Sequence, residues 1–406
     1  MNKHIIEDAK RCLQCKNPAC SKGCPIGTPI KEAIALLLES KVLEAGKLLF
    51  ENNPLSLVCS HVCPQENQCE GHCVMGKHGS PVFISAIEQY ISDYYLNIYK
   101  PVPTLKTRGK VAIIGSGPAG ITIAFLLAQK NYAVTIFEGH DQIGGIMRYG
   151  IPEFRLPKSI IDRLADKLIE KGVKIRPNSV VGVNLSIDDL FRDDYRAVFM
   201  GTGTWRPRKL GIKGESLGHV HFAVEYLKNP DVYRLGESVI VIGAGNVAMD
   251  VARTAFRHGS REVLIVCNSD ESSITARKHE VQYAKIDGAI FEMNKSAIEI
   301  VDEGVIFADT DENANAIPGT EKLYSADSVI IAIGQGPRSI IVSSTKGIDI
   351  DKTGLVSVNE FGYTSREGVF AGGDVVSGAR IVVEAVVASK KVAEAIDKYI
   401  SEKYPQ

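Results

Sequence analysis

Eight of the nine cysteines of this chain fall within 62 residues, in two runs: Cys12-x2-Cys15-x4-Cys20-x3-Cys24-Pro25 and Cys59-x3-Cys63-Pro64-x4-Cys69-x3-Cys73. Thiolates this dense can hold two zinc ions or two iron–sulfur clusters. Zinc sites usually set two CxxC pairs, or a CxxC with an HxxxH, around one ion. Here only Cys12 and Cys15 form such a pair. Prolines follow Cys24 and Cys63, and a proline after a ligand cysteine is typical of ferredoxin-like sites, where the fourth cysteine of a run can bind the other cluster. Thiolates are soft and suit such centres. The spacing favours two clusters and keeps zinc as the alternative. His61, His72 and His78 lie nearby, but thiolates already supply the sites, so these read as ordinary solvated histidines.

A second chemistry begins at residue 111. Val111-Ala112-Ile113-Ile114 reads as a buried strand, followed by Gly115-Ser116-Gly117-Pro118-Ala119-Gly120, a helical run, and the strand AVTIFE ending at Glu138. Strand, GxGxxG, helix, strand and acid make a full dinucleotide fingerprint. Its glycines let backbone amides approach a pyrophosphate at a helix N-terminus, and Glu138, 23 residues after Gly115, can accept from a ribose hydroxyl. The unit recurs at residues 238–266, with Gly243, Ala244, Gly245, Asn246 and Val247 at the turn and Ala248 in the third glycine position. Two copies suggest a flavin and a nicotinamide. The second strand of this unit ends in Cys267-Asn268-Ser269-Asp270, where no cation stands to meet a 2′-phosphate and Asp270 is available for a free ribose hydroxyl; Arg277 and Lys278 lie further on. NADH is therefore favoured over NADPH. Cys267 stands alone and reads as a strand-end apolar residue. Near the C-terminus, Gly372-Gly373-Asp374 precedes an Ala-rich helix and can place a carboxylate on a flavin's ribityl chain, or merely cap that helix.

The elements that must position these groups follow from periodicity. Ile30 to Glu39 spaces its apolar residues as a helix, with Thr28 as cap and Pro29 at the first position, and residues 82–98 form a second, aromatic-rich helix. Residues 99–110, with two prolines, read as a linker. Residues 326–333 form a buried strand, and Gly354–Val358 and Gly368–Ala371 suggest further strands. The length of 406 residues suits two or three domains. A net charge of −1 supplies no basic field for nucleic acid. No apolar run is long enough for a transmembrane helix, and the N-terminus lacks a signal peptide's apolar region. A reducing cytoplasm is the expected setting, where thiols bind metal rather than pair. Nothing resembles the acid–base or nucleophile pair of a hydrolase, and the nicotinamide half has no CxxC for thioredoxin reductase chemistry.

Taken together, the chain resembles the small subunit of bacterial glutamate synthase and its relatives over nearly its whole length. The most specific stretch is Gly144-Gly145-Ile146-Met147-Arg148-Tyr149-Gly150-Ile151-Pro152-Glu153-Phe154-Arg155-Leu156-Pro157; GTGTWRPRKL, IAIGQGPR and FAGGDVVSGARIVVEAV also match. The same module is found in dihydropyrimidine dehydrogenase, in the NAD-dependent bacterial dihydropyrimidine dehydrogenase subunit and in bifurcating ferredoxin:NADP oxidoreductases. The resemblance implies an α/β fold like the disulfide reductases. A helical iron–sulfur domain would span 1–105, and the FAD domain, 106–205 plus 335–406, would be interrupted by an NAD(P)H domain at 206–334. It implies one 4Fe–4S cluster on Cys12, Cys15, Cys20 and Cys73. The second would sit on Cys24, Cys63 and Cys69 with a Gln or Glu, for which Gln89 falls at the matching spacing, 16 residues after Cys73; Cys59 would be a bystander. Gly115, Ser116, Gly117, Pro118, Ala119, Gly120, Glu138, Gly145, Arg155 and Asp374 match FAD-binding positions, and Gly243 to Val247 match the nicotinamide site. Asn268, Ser269 and Thr275 stand where NADPH-using relatives carry basic residues.

The implied reaction passes a hydride from NAD(P)H to FAD and then single electrons through the clusters. About 100 residues hold clusters and the other 300 make two ordinary nucleotide domains, leaving none for a substrate-binding barrel. The chain should therefore feed a larger flavoprotein partner: a glutamate synthase large subunit, a pyrimidine-reducing subunit or a bifurcating flavoprotein. Two alternatives stand beside this, a free-standing diaphorase or ferredoxin reductase and a zinc-stabilised binding protein with vestigial nucleotide folds.

Overall fold

The computed structural model describes residues 3–405. The N-terminal helices are α1 (Lys3–Lys10), α2 (Ile30–Leu38), α3 (Val42–Asn52), α4 (Ser56–Val62) and α5 (Ile84–Ile98). Ile30, Ile34, Leu37, Leu49, Ile87 and Ile91 form one buried seam among them. Each such side chain contributes roughly 1.5–3 kcal/mol, so packing rather than helix propensity holds these short helices. Helix α2 starts where the sequence places it, but Pro29 is its cap and no side chain caps it. Thr28 instead turns its hydroxyl to Cys24, 3.2 Å from the sulfur.

A first nucleotide fold follows: β1 (Lys110–Ile114), α6 (Pro118–Gln129), β2 (Ala133–Phe137), β3 (Lys174–Arg176) and β4 (Tyr195–Met200). The second contains β5 (Val220–Phe222), β6 (Ser238–Ile242), α7 (Asn246–Arg257), β7 (Glu262–Val266), α8 (Lys278–Asp287) and β8 (Ile290–Glu292). An antiparallel ribbon of β9 (Lys295–Val301), β10 (Gly304–Asp309) and β11 (Lys322–Ser325) precedes β12 (Ser328–Ile331). The chain then returns with β13 (Val369–Ala371) and α9 (Val382–Lys403).

Two compact units result. One holds residues 1–147, 153–204 and 337–406; the other holds 148–152 and 205–336. The first unit has a parallel sheet in the order β13-β4-β1-β2-β3, and the second a parallel sheet in the order β5-β12-β6-β7-β8. Val111 to Ile114 and Val239 to Ile242 are buried throughout, as strands covered on both faces must be. Ligands of such sheets bind at the carboxyl ends of the strands.

Within the first unit the helices pack directly on the nucleotide fold. Phe50 of α3 meets Phe125 of α6 edge-on at 5.3 Å, and Lys390 of α9 donates to the Asn52 carbonyl at 3.0 Å. Residues 99–109 carry no regular element but are pinned. The Thr104 amide donates to Lys171 O at 2.9 Å, and the Lys171 ammonium to Val102 O at 3.0 Å. This stretch is a strap laid along the domain, not the free linker its prolines suggest. Gly354–Val358 forms no regular strand, only an isolated bridge between Ile350 and Val356.

Candidate functional site

Cys12, Cys15, Cys20 and Cys73 line one small pocket whose walls include Leu13, Ile30, Ile34, Val82 and Ile84. The cysteines come from the loop after α1, the short turn at 19–23 and the segment before α5; the apolar seam brings them together. Burial pushes the Cys12 and Cys20 thiols up, and Cys73 adds its charge to both. Thiols raised in this way lose their protons together only beside a compensating cation.

The second group is more deeply set. Cys63 and Cys69 are both 7% exposed, and Cys24 and Glu88 act electrostatically on each. Burial, and then the charge of Glu70, pushes the Glu88 carboxyl up to about 8. Gln89, the expected fourth ligand, is exposed. One helical residue is a turn of about 100°. Glu88 lies four residues after Ile84 and three before Ile91, on the buried side of α5, and Gln89 is rotated off it. Counting from Cys73 does not give this orientation, because the loop before α5 sets the helical phase. Among the described residues no three His, Cys, Asp or Glu side chains converge tightly enough for one metal ion. The donor set of three thiols and a carboxyl fits an iron–sulfur cluster, whose irons would supply the charge these acids lack.

The three histidines stay out of these groups. His72 bonds its ring Nδ1 to Gln68 O at 2.6 Å, burial lowers His61, and His78 is exposed.

The first dinucleotide turn is knotted through Ser116. Its amide donates to Glu138 Oε2 at 2.9 Å, its hydroxyl donates to the same oxygen, and its carbonyl accepts from Gly144 at 3.0 Å. Glu138 Oε1 accepts from the amide and ring of His140 at 2.8 and 2.9 Å. Burial raises the Glu138 carboxyl, but the His140 and Ser116 donors outweigh it and hold the group below its usual range. It is thus a charged acceptor, and a ribose hydroxyl would displace the His140 ring or the Ser116 hydroxyl.

The glycines divide the labour. A Cβ at Gly120 would lie 2.0 Å from Gly115 O, and one at Gly145 2.6 Å from the Gly117 Cα, so both serve close backbone approach. A Cβ at Gly117 would meet nothing nearer than 4.0 Å, leaving space at the N-terminus of α6, which begins at Pro118. Gly373, at φ +75°, stands against Ala119. That contact brings Asp374 to the same end of the sheet, although α9 begins only at Val382 and a short turn, Asp374–Ser377, intervenes. Arg155 lies partly buried beyond the Gly144–Gly145 loop. An open amide-lined mouth with a charged acid beside it fits FAD.

Asp374 accepts from the Arg380 amide at 3.2 Å, yet burial raises its carboxyl from 3.8 to about 6. Ionisation is then easier in the unfolded chain, so the group costs stability as pH rises from about 4 through about 6. Asp374→Asn should stabilise the flavin-free protein at pH 8 by on the order of 2–3 kcal/mol. The gain should shrink as pH falls below 6. Thermal unfolding of both proteins across that range checks this; a gain independent of pH would contradict it.

In the second unit, Gly243 (φ +123°) closes on Ala332 O, and Gly245 caps α7 with only Thr275 Oγ1 near its open side, 3.6 Å from a built Cβ. Asn246 Oδ1 accepts from the Arg277 amide at 2.9 Å, and Ala244 O from Ala276 at 3.3 Å. The turn 243–247 is thereby tied to 275–277. Asp270, expected to be available for a ribose, instead caps the turn Glu271–Ser273, with Ser272 and Ser273 donating to it. Cys267 is buried, its thiol 3.2 Å from Ser269 O, in line with a packing role.

Comparison with known proteins agrees with both halves. Residues 109–391 match the pyridine nucleotide-disulphide oxidoreductase family, and residues 1–99 match dihydropyrimidine dehydrogenase domain II, 4Fe-4S cluster. The small chain of NADPH glutamate synthase from Halomonas elongata is 34% identical, over 97% of this chain and 90% of its own length. The NAD-dependent dihydropyrimidine dehydrogenase subunit PreT of Salmonella typhimurium is 33% identical, over 98% of this chain and 94% of its own. Among solved structures, T. acidophilum thioredoxin reductase superposes with a TM-score of 0.58 at 25% identity, covering 72% of this chain and 98% of that one. No helix among the described residues is long and apolar enough to cross a membrane.

Proposed function

The chain belongs to the glutamate synthase small-chain family of pyridine nucleotide-disulphide oxidoreductases, and from that membership we propose that it is an NAD(P)H-dependent FAD and iron–sulfur oxidoreductase, the electron-input subunit of a larger enzyme. The observation that carries the reading is one compact unit holding both a four-cysteine pocket and a dinucleotide turn. When bound, the flavin takes a hydride from the nicotinamide, and the two clusters carry its electrons singly to an acceptor.

The chain's own residues bind and orient. The Gly115–Gly120 turn takes the FAD pyrophosphate, with the amides of Gly117, Ala119 and Gly120 facing it; Glu138 takes a ribose hydroxyl, and Gly145, Arg155, Gly373 and Asp374 flank the rest of the cofactor. Gly243 to Val247 take the nicotinamide dinucleotide. NADH is preferred because Asn268, Ser269 and Thr275 offer no cation to a 2′-phosphate, and the Arg277 guanidinium lies 4.0 Å from the Glu280 carboxylate. Cys12, Cys15, Cys20 and Cys73 hold one 4Fe–4S cluster. Cys24, Cys63 and Cys69 hold the other, with Glu88 in place of Gln89. The acceptor is a larger flavoprotein subunit in the cytoplasm, of the glutamate-forming, pyrimidine-reducing or bifurcating kind.

Purified anaerobically, the protein should contain about eight irons, eight sulfides and one FAD per chain. A colourless, zinc-containing product would favour the binding-protein alternative instead.

A further inference from the structure

Cys59 is the one cysteine of the two runs with no place in the proposed ligand sets, and it is the most enclosed of them at 4% exposure. It sits one helical turn before Cys63: the Cys63 amide donates to the Cys59 carbonyl at 3.0 Å, so the two side chains share a face of α4 and its end. The two thiols are thus neighbours, and the Cys59 thiol together with burial pushes the Cys63 thiol up. On its other side the Cys59 sulfur accepts from the Asn53 amide nitrogen Nδ2 at 3.2 Å. Asn53 is itself 1% exposed, and its Oδ1 accepts from the Leu55 amide at 2.9 Å, which fixes which end of the side chain faces the sulfur.

The polarity of this chain of bonds follows from the donors. Asn53 Nδ2 can only donate, so the Cys59 sulfur accepts from it. Once Cys63 has given up its proton to bind iron, its sulfur can only accept. The remaining S–H, on Cys59, can then turn toward it. We propose that Asn53 and Cys59 form a hydrogen-bond relay onto the Cys63 sulfur that sets the reduction potential of the second cluster, with Cys59 a positioning residue and not a ligand. The proposal rests on the reading of Cys63 as a cluster ligand. Hydrogen bonds to ligand sulfurs are among the levers that tune cluster potentials, because they draw off charge that reduction adds. Removing the donor makes the cluster harder to reduce.

The test compares the wild type with Cys59→Ala and Cys59→Ser, each as the full chain purified anaerobically. Iron is quantified, and the reduced-cluster signals are followed by electron paramagnetic resonance against potential. All three proteins should hold the same iron. In Cys59→Ala one of the two cluster signals should move to more negative potential, by about a tenfold change in the reduced-to-oxidised ratio, or about 59 mV for one electron. Cys59→Ser, whose hydroxyl still donates, should return it toward the wild type. Unchanged potentials with full iron in Cys59→Ala would overturn the relay alone. Loss of about half the iron in Cys59→Ala would make Cys59 a ligand and overturn its positioning role. A wild type without iron would overturn the relay together with the electron-transfer reading beneath it.

Discussion

Glu88→Ala is expected to remove about half the iron, about four atoms of eight, while Gln89→Ala leaves the full complement. The two residues are neighbours in sequence, so the pair of variants isolates orientation from composition. Glu88 lies on the buried side of α5 and its carboxyl acts on both Cys63 and Cys69; Gln89 faces outward. Loss of the fourth ligand opens a corner of the cluster, and that cluster should lose its iron under air within a purification. The first pocket, with its own four cysteines, should keep its iron. Glu88→Ala also removes a buried acid raised to about 8, so the helix itself should not suffer. Iron and acid-labile sulfide analysis, with circular dichroism as the folding control, reads the outcome. Full iron in Glu88→Ala and half in Gln89→Ala would support Gln89, the residue the family resemblance points to by its spacing from Cys73.

Gly117→Val should abolish FAD binding while leaving the fold and both clusters intact. Position 117 has φ −69°, open to any residue, and a Cβ there meets nothing nearer than the Gly145 Cα at 4.0 Å. The side chain would therefore enter the space kept for the pyrophosphate, not the protein. A loss of at least a hundredfold in flavin affinity is expected, about 2.7 kcal/mol. The contrast is Gly120→Ala, where a Cβ 2.0 Å from Gly115 O forces β1 and α6 apart and should destabilise the whole unit. Flavin and iron content of the two variants separate the roles: Gly117→Val that keeps its FAD would mean the cofactor does not approach this turn.

Both dinucleotide turns were legible because their requirements are local. A strand, a glycine turn and a helix are contiguous in sequence, and the steric reason for Gly120 lies within its own βαβ unit, whereas Gly115 and Gly243 close on Gly201 and Ala332 from distant strand ends. The cysteine pockets were half legible. Ligand types could be counted, but Cys12, Cys15 and Cys20 meet Cys73 only through the packing of α2 and α5, which spacing does not encode. Spacing likewise does not choose between Glu88 and Gln89, whereas the buried pattern Ile84-x2-Ile87-x3-Ile91 carries the helical phase that favours Glu88. Thr28 looked like a cap because threonine before Pro29 usually is one, yet Cys24 took its hydroxyl. Asp270 looked free for a ribose because its partners, Ser272 and Ser273, are drawn to it by a local turn.

The most decisive measurement is an anaerobic titration of the purified chain with NADH and separately with NADPH, recording the flavin absorbance and the cluster resonance signals together. NADH should bleach the flavin and bring up reduced-cluster signals in the same protein, faster than NADPH does. A flavin that neither nucleotide reduces, or one that bleaches while both clusters stay oxidised even with excess NADH, would contradict electron entry at the dinucleotide sites and exit through the cysteine pockets.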